Sequence, residues 1–321
     1  MNNLNISIIV PAYNNEDTIG NVIDSLKKQV YRRGQYEIIV IDDHSRDRTA
    51  KIAEEKGLRV VLKEKNHGLA HSINKGIELS KHEIVVTLHG DTVPITEYWL
   101  EKLTAPLTGS EVGACCSLQH PPNLSNISFW EKLIWAKQQP HCALNNKADA
   151  YKKSVLLEIG LFDSETFRIA GEDEDIALRI KEAGYSIMET QAIVIHDHSF
   201  KGDTLSKIRG IFEKEFTFGK AGGALRRKNP SYVPGIYLFP EKKGLIYDGL
   251  FRCGICIGST IPKINLVFIV SLVLLSMNGI KPTLQKNSNI ITLIIYPLFN
   301  IIRYYIYSIG YIIGLITGKQ R

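Results

Sequence analysis

No glycine-rich nucleotide cradle follows the first hydrophobic run of this 321-residue chain. Ile6–Val10 leads into Pro11-Ala12-Tyr13-Asn14-Asn15-Glu16, where a dinucleotide-binding protein would carry G-x-G-x-x-G. The G-x-x-x-x-G-K-[ST] pattern is missing too, which excludes a P-loop nucleotidase. Cysteine is sparse. Five residues, an odd number in a long chain, imply no disulfide framework and suit a reducing compartment. Cys253 and Cys256 form a C-x-x-C with no second Cys or His pair near it in sequence. Two small apolar residues are expected there rather than a metal or redox pair. The first residues show no secretory leader pattern, so a cytoplasmic body is expected. Acidic residues are missing from 263–321, which holds six basic ones. The other 33 basic and 33 acidic residues cancel, so the net charge of +6 sits in the last fifth of the chain. A basic, apolar tail suits an anionic membrane surface better than nucleic acid. The body carries no aromatic-plus-basic nucleic-acid motif, so no nucleic-acid partner is expected.

What is present is an ordinary globular balance, 44% hydrophobic and 22% charged, which excludes wholesale disorder. The first ninety residues alternate between two periods. Ile6–Val10, Glu37–Ile41, Leu58–Leu62 and Glu83–Leu88 are short apolar runs that read as buried strands. Between them, Ile19, Val22, Ile23, Leu26 and Val30 share one helical face, 49–56 ends at Gly57, and Leu69, Ile73 and Ile77 recur every fourth residue. This β-α-β-α-β-α-β order predicts an α/β sandwich with a mostly parallel sheet. Further on, 112–117 predicts a strand and 128–138 a helix with Trp130 and Trp135. Short helices are expected over 151–160 and 175–183, and late strands over 186–190 and 193–195. An amphipathic helix is expected over 203–220, and 221–248, rich in Gly, Pro and Tyr, reads as a linker. Residues 264–280 and 290–317 are long apolar stretches. The second is interrupted by Pro297 and Arg303, so it suits a tilted span, a re-entrant arm or an interfacial helix.

In an open α/β sheet, ligands gather at the carboxyl ends of strands. Four consecutive strand ends here carry polar residues: Pro11 to Glu16, Asp42 to Asp47, Lys65-Asn66-His67-Gly68, and His89-Gly90-Asp91-Thr92. The site is acidic where a phosphate cradle would be glycine-rich. An acidic site can hold a diphosphate when a divalent cation lies between the two negative partners.

The segments IIVPAYNNEDTIGNVIDSL, EIIVIDDHSRDRTAKIA, NHGLAHSINKGIELS, VVTLHGDTVP and GLFDSETFRIAGEDEDIALRIKEAGY occur in this order over residues 5–200. In register, they resemble the family 2 inverting glycosyltransferases of the GT-A fold. The later IVIHDHSFKGD, followed by an amphipathic helix, resembles the rhamnosyltransferase-like members. The resemblance implies an α/β GT-A nucleotide-sugar-binding fold with a mostly parallel central sheet and a C-terminal helical, membrane-associated segment. The expected divisions are 1–202 for the catalytic domain, 203–262 for a helical extension and linker, and 263–321 for apolar basic helices. Pro11, Ala12, Tyr13, Asn14 and Glu16 would line the base and ribose pocket, and Asp42 or Asp43 would bond the base. Asn66, Gly68, Asn74 and Gly90 would border the rest of the donor. Asp91 would bind Mn²⁺ or Mg²⁺ with His196 near it. Asp173, beside Glu172, would be the general base.

One departure stands out. The family's Asp-x-Asp is His89-Gly90-Asp91 here. A neutral imidazole at His89 can ligate Mn²⁺ in preference to Mg²⁺, or it can contact the nucleotide or sugar and leave the metal to Asp91, His196 and phosphate oxygens. The partners implied are a nucleotide-sugar donor, a glycan or glycolipid acceptor and a membrane, with the product destined for a cell-envelope polysaccharide. Two other functions stay in view. The missing first aspartate suits a catalytically impaired nucleotide-sugar-binding protein. A sugar-nucleotide pyrophosphorylase would need a glycine-rich basic loop where Pro11 to Asn14 stands.

Overall fold

The computed structural model describes residues 4–32, 35–120, 128–135, 141–142, 144–196, 200, 202–230, 249–261, 265–277, 280, 283–284 and 291–320. The first half alternates as read. β1 is Ile6–Ala12, α1 Ile19–Lys27, β2 Tyr36–Asp42, α2 Thr49–Glu55, β3 Arg59–Leu62, α3 Leu69–Leu79 and β4 Ile84–Leu88. There follow β5 Thr92–Pro94, α4 Trp99–Thr104, β6 Val112–His120, α5 Phe129–Trp135, β7 His141–Cys142, β8 Ala148–Lys152, α6 Lys153–Glu158, α7 Glu172–Glu182 and β9 Ser186–His196. The chain continues through α8 Thr204–Lys228, α9 Gly249–Gly258, α10 Asn265–Ser276 and α11 Thr292–Thr317.

The strands form one sheet in the order β3-β2-β1-β4-β8-β6-β9-β5, with β7 on β6. β1 pairs in parallel with β2 and β4, and β2 with β3. β8 then enters antiparallel between β4 and β6, and β9 resumes parallel to β6. The sheet is therefore mixed rather than parallel throughout. All seven residues of β1 are buried, and Ile8, Val10, Val40, Val86 and Leu88 join Ile19, Val22 and Leu26 of α1 in one core. Each fully buried aliphatic side chain of this kind contributes roughly 1.5–3 kcal/mol. That repeated burial is why the β-branched runs take strand positions.

Three expectations need correcting. Residues 148–152 form a strand before the helix expected at 151–160 begins. Ala148 to Tyr151 are all buried, so the segment has a buried strand's character rather than a helix's one-sided pattern. The two late strands are a single eleven-residue β9 whose pairing with β6 carries register shifts. α8 runs to Lys228, past its glycines.

The chain divides into two compact units, 1–122 with 140–198, and 123–139 with 199–321. In the second unit, Gly219 and Gly223 of α8 lie against Gly310 and Gly314 of α11. A Cβ at Gly223 would strike the Tyr311 carbonyl, and one at Gly314 would strike the Lys220 carbonyl. These glycines do not break the helix; they let two backbones touch. Gly223→Ala would gain about 1 kcal/mol by helix propensity on an open helix face. Here it is expected to destabilise by about 1–3 kcal/mol through overpacking, read as a lower urea midpoint at an unchanged slope. Ser128-x-x-Glu131 at the start of α5 forms a capping box: Ser128 N donates to Glu131 Oε2 at 3.0 Å and Glu131 N to Ser128 Oγ at 3.4 Å. Trp130 packs in tilted contact with Phe299, ring centroids 5.4 Å apart, so it serves the second unit's core. Cys253 and Cys256 are free and buried. Cys256 packs with Ile255, Leu272 and Tyr304, the apolar role expected for it. The side chains of Trp135 and Cys142 lie outside the described residues, as do Asp197 and His198.

Candidate active site

The parallel strands β1, β2 and β4 end together, and backbone bonds join their ends. Asp43 N donates to Ala12 O at 2.8 Å and Gly90 N to Pro11 O at 3.3 Å. Side chains then lock the loops. Asn14, with φ 54°, accepts from Arg46 N through Oδ1 at 2.9 Å. Glu16 accepts from Arg48 N at 3.2 Å. Asn15 Oδ1 accepts from Tyr13 N at 2.8 Å. Tyr13 stands exposed at the rim. Asn14 and Glu16 thus shape the loop after β1, while Pro11, Ala12, Tyr13 and Asn15 line the cleft.

The two aspartates after β2 do different work. Asp43 is saturated: His67 N donates at 2.9 Å, Gly68 N at 2.7 Å, and Lys63 Nζ lies 2.5 Å away. Burial lowers the Lys63 pKa, and the Asp43 carboxylate opposes that shift. Asp42 is 2% exposed, and its Oδ1 accepts from Ser45 N at 2.8 Å. Its Oδ2 has no partner among the described residues. Asp43 therefore braces the 63–68 loop from the cleft wall, whereas Asp42 is buried behind that wall and does not line the cleft.

That loop carries Asn66 and Gly68 on the cleft wall. Gly68 has φ +96°, and a Cβ there would strike Arg168. Leu69 N donates to Arg168 O at 2.7 Å, and Arg168 Nη2 donates to Asn66 Oδ1 at 2.5 Å. Gly68→Ala combines a strained backbone with a steric clash. It is expected to weaken binding of any ligand the cleft takes roughly tenfold or more through displacement of the 66–69 wall, about 1.4 kcal/mol, measured by titration calorimetry. Asn74 does not line the cleft. Both ends of its amide hold the Phe162 peptide, at 2.7 and 3.0 Å.

His89, Gly90 and Asp91 line the cleft at the end of β4. The β5–β9 pairing sets Thr92 opposite His196, so Asp91 Oδ2 and His196 Nε2 lie 3.2 Å apart. Among the described residues no group of three or more His, Cys, Asp or Glu forms a metal cluster. A carboxylate oxygen and an imidazole nitrogen at this separation nevertheless suit two ligands of one cation. The other coordination positions of such an open pair would fall to diphosphate oxygens and water. The donor set fits Mn²⁺ or Mg²⁺ held jointly by protein and ligand rather than a closed structural site.

The acidic turn lies on the same edge. β8 begins beside the end of β4, with Leu88 opposite Ala148, and His89 N donates to Lys147 O at 3.0 Å. Lys147 also acts electrostatically on Glu172 and Asp173 at the start of α7. Gly171 precedes them with φ 88°. Four acids, Glu172 to Asp175, occupy the first turn of α7, where the helix dipole favours them. Burial raises Asp173, opposed by the N–H of Glu174 and by Lys147. Burial and the Asp173 charge raise Glu172 above the usual carboxylate range.

A buried polar brace, which the sequence patterns did not disclose, supports this turn. Tyr151 donates to Asn146 Oδ1 at 2.6 Å, and Asn146 Nδ2 donates to Glu172 Oε1 at 3.4 Å. Asp149 Oδ2 accepts from the N–H groups of Asn145 and Asn146 at 2.7 and 2.6 Å. Burial outweighs those bonds and pushes Asp149 up to about 7. A carboxyl with a raised folded pKa favours the folded state while protonated. Its contribution is full below about pH 4 and is lost as pH rises through about 7. Asp149→Asn is therefore expected to flatten the fall in stability between pH 4 and 7 by a few kcal/mol, checked by urea unfolding across that range. Ser72, Leu69 and Ile169 also line the cleft. Of these, Ile169 had a signal, since it sits in RIAGEDED just before the acidic run.

The family model described as Glycosyl transferase family 2 matches residues 7–164. Glycosyltransferase AglE of Haloferax volcanii is 25% identical over 194 residues, covering 57% of this chain and 63% of that protein. The chain thus spans somewhat less than two thirds of that relative's length. The O-antigen chain rhamnosyltransferase RfbN of Salmonella typhimurium is 24% identical over 217 residues, covering 61% of this chain and 68% of that one. Among solved structures, the mannosyltransferase PcManGT of Pyrobaculum calidifontis, in complex with GDP-Man and Mn²⁺, aligns with a TM-score of 0.61 at 17% identity. That alignment covers 97% of this chain and 86% of that one.

Proposed function

We propose, from the match of residues 7–164 to the family 2 glycosyltransferases and the likeness in fold to a GT-A mannosyltransferase, that this chain moves a sugar from a nucleoside-diphosphate donor to an acceptor hydroxyl with inversion. The observation that carries the reading is the shared sheet edge. Asp42 ends β2, Asp91 follows β4 and faces His196 at the end of β9, and Asp173 opens α7 beside Lys147. Strands from both halves of the sheet deliver carboxylates to one end, the end at which such sheets bind ligands.

Each residue has a role in this reading. Pro11, Ala12 and Tyr13 receive the nucleoside, and Asp42, buried at the end of β2, shapes the base end of the cleft by holding Ser45 N. Asn66, Gly68 and Gly90 line the diphosphate path, and Asp43 holds that wall in place. Asn74 acts at one remove, by fixing Phe162. Asp91 and His196 would hold a divalent cation. When bound, the cation offsets the charge that builds on the departing diphosphate. Asp173 accepts the proton of the acceptor hydroxyl as its oxygen attacks the anomeric carbon and the C–O bond to the diphosphate breaks. Desolvation makes Asp173 a stronger base than a surface carboxylate, and Lys147 with the Glu174 N–H keeps it ionisable. A single displacement of this kind inverts the anomeric centre.

The likeness to a rhamnosyltransferase supports a deoxyhexose or hexose donor. The basic apolar tail supports a membrane-bound glycan or glycolipid acceptor and a catalytic domain on the cytoplasmic side, with a product for envelope polysaccharide. A screen of UDP-, GDP- and dTDP-sugars for Mn²⁺-stimulated hydrolysis tests the assignment. One donor is expected to be cleaved in an Asp173-dependent manner. Donor binding without hydrolysis, across all three series, would instead favour a binding protein.

A further inference from the structure

α11 is long and apolar enough to cross a bilayer by length and composition. Its packing argues against that. α8 runs beside it in the same direction at a constant offset: Glu215 bonds Arg303 through Arg303 Nε at 2.9 Å, and Arg227 reaches the carbonyl of Leu315, each pair 88 residues apart. Phe212 lies in tilted contact with Phe299, ring centroids 5.4 Å apart, so contact runs from Phe299 to Leu315, about 25 Å of helix. The backbones meet at the glycines Gly219, Gly223, Gly310 and Gly314. α8 itself holds seven basic and two acidic residues among twenty-five, with Arg209, Glu213, Arg227 and Lys228 exposed. At that offset Arg209 and Glu213 stand level with Pro297 and Ile301, so a spanning α11 would carry these two exposed charges into or against the hydrocarbon, which bilayers resist.

The other face of α11 is different. Ile294, Leu298, Ile302, Ile309 and Ile316 are each about half exposed or more, and their spacing of four, four, seven and seven places them on one stripe. Val270 and Leu274 of the adjoining α10 are exposed as well. The unit is thus apolar on one side, charged on the other, and basic overall through 263–321 and α8. That combination fits an anionic bilayer surface.

We infer that α11 lies in the plane of an anionic membrane leaflet as a one-sided anchor, its isoleucine stripe among the acyl chains and α8 on the aqueous side. The inference rests on the membrane partner proposed above and fixes its mode: both ends of α11 stay on one side. It keeps both ends of α11 on the donor side of the membrane.

The test uses the full chain with its native cysteines replaced, expressed in a bacterium, with a single reporter introduced as Leu293→Cys or Lys319→Cys. A membrane-impermeant maleimide is added to intact cells and to sealed inverted inner-membrane vesicles. Both reporters are expected to be labelled in inverted vesicles and neither in intact cells. Labelling of the two ends from opposite sides would show a span and overturn the inference. Recovery of the protein only in the soluble fraction would overturn it as well. Donor hydrolysis, assayed in parallel, reports separately on the transferase reading. A second arm combines Ile294→Lys, Ile302→Lys and Ile309→Lys. Sedimentation with vesicles of phosphatidylglycerol and phosphatidylcholine in equal parts is expected to fall at least about tenfold, with helical circular dichroism and donor hydrolysis kept. Retained sedimentation, or a halved mass in vesicle-free solution showing that the stripe joins two copies, contradicts the inference.

Discussion

Asp173→Asn is expected to lower turnover by about 10²–10⁴-fold, the range over which a positioned general base contributes. The amide keeps the volume and the bond from Glu174 N, 2.9 Å in the native chain, but it cannot take a proton. Donor affinity should change by no more than about twofold, since an interaction used only in the transition state shows in turnover. The pH profile separates this role from a structural one. Burial raises the Asp173 pKa, and the base works only when ionised, so turnover falls as pH drops through that raised value. The residual activity of the Asn variant should lack this acidic limb. Glu172→Gln provides the contrast. Burial and the neighbouring Asp173 charge already favour the protonated form of Glu172, and the Gln amide mimics it, so turnover is expected to stay within about tenfold of native. A larger loss in Glu172→Gln than in Asp173→Asn would exchange the two assignments.

How far these residues could be read beforehand depends on what kind of contact places them. β1 to β4 follow one another as parallel strands with crossovers, so the period of their apolar residues set both element and order. The polar residues at their ends then fell at the ligand edge by topology alone. Asp43 shows the limit. Nothing in Asp42-Asp43 says which carboxylate turns to Lys63 and the Gly68 loop, because those partners come from the next crossover. The brace of Asp149, Asn146 and Tyr151 was hidden for the same reason. It forms where β8 enters antiparallel between β4 and β6, and no local pattern announces that insertion. In the tail, Gly222 and Gly223 fall in a stretch that reads as a linker. A glycine that admits a second backbone and one that ends a helix are identical in sequence, and only the partner helix with Gly310 and Gly314 tells them apart.

Asp91→Ala is expected to reduce Mn²⁺-supported turnover by about 10²-fold or more, the equivalent of roughly 3 kcal/mol of transition-state stabilisation. The reasoning starts from the 3.2 Å approach of Asp91 Oδ2 to His196 Nε2. In so open a site each protein ligand carries a large share of cation affinity, and loss of the charged Asp91 leaves His196 as a neutral imidazole. Mn²⁺ binding, followed by electron paramagnetic resonance in the presence of nucleoside diphosphate, should weaken in step with turnover. His196→Ala should weaken it less, since it removes no charge. His89→Asp addresses the departure from Asp-x-Asp. If His89 ligates, a hard oxygen in its place should shift the metal preference from Mn²⁺ toward Mg²⁺. If it contacts the donor instead, the preference holds and KM for the donor rises. Full activity of Asp91→Ala in the presence of a chelator would remove the cation from the mechanism, leaving Asp91 and His196 as an ion pair at the strand end.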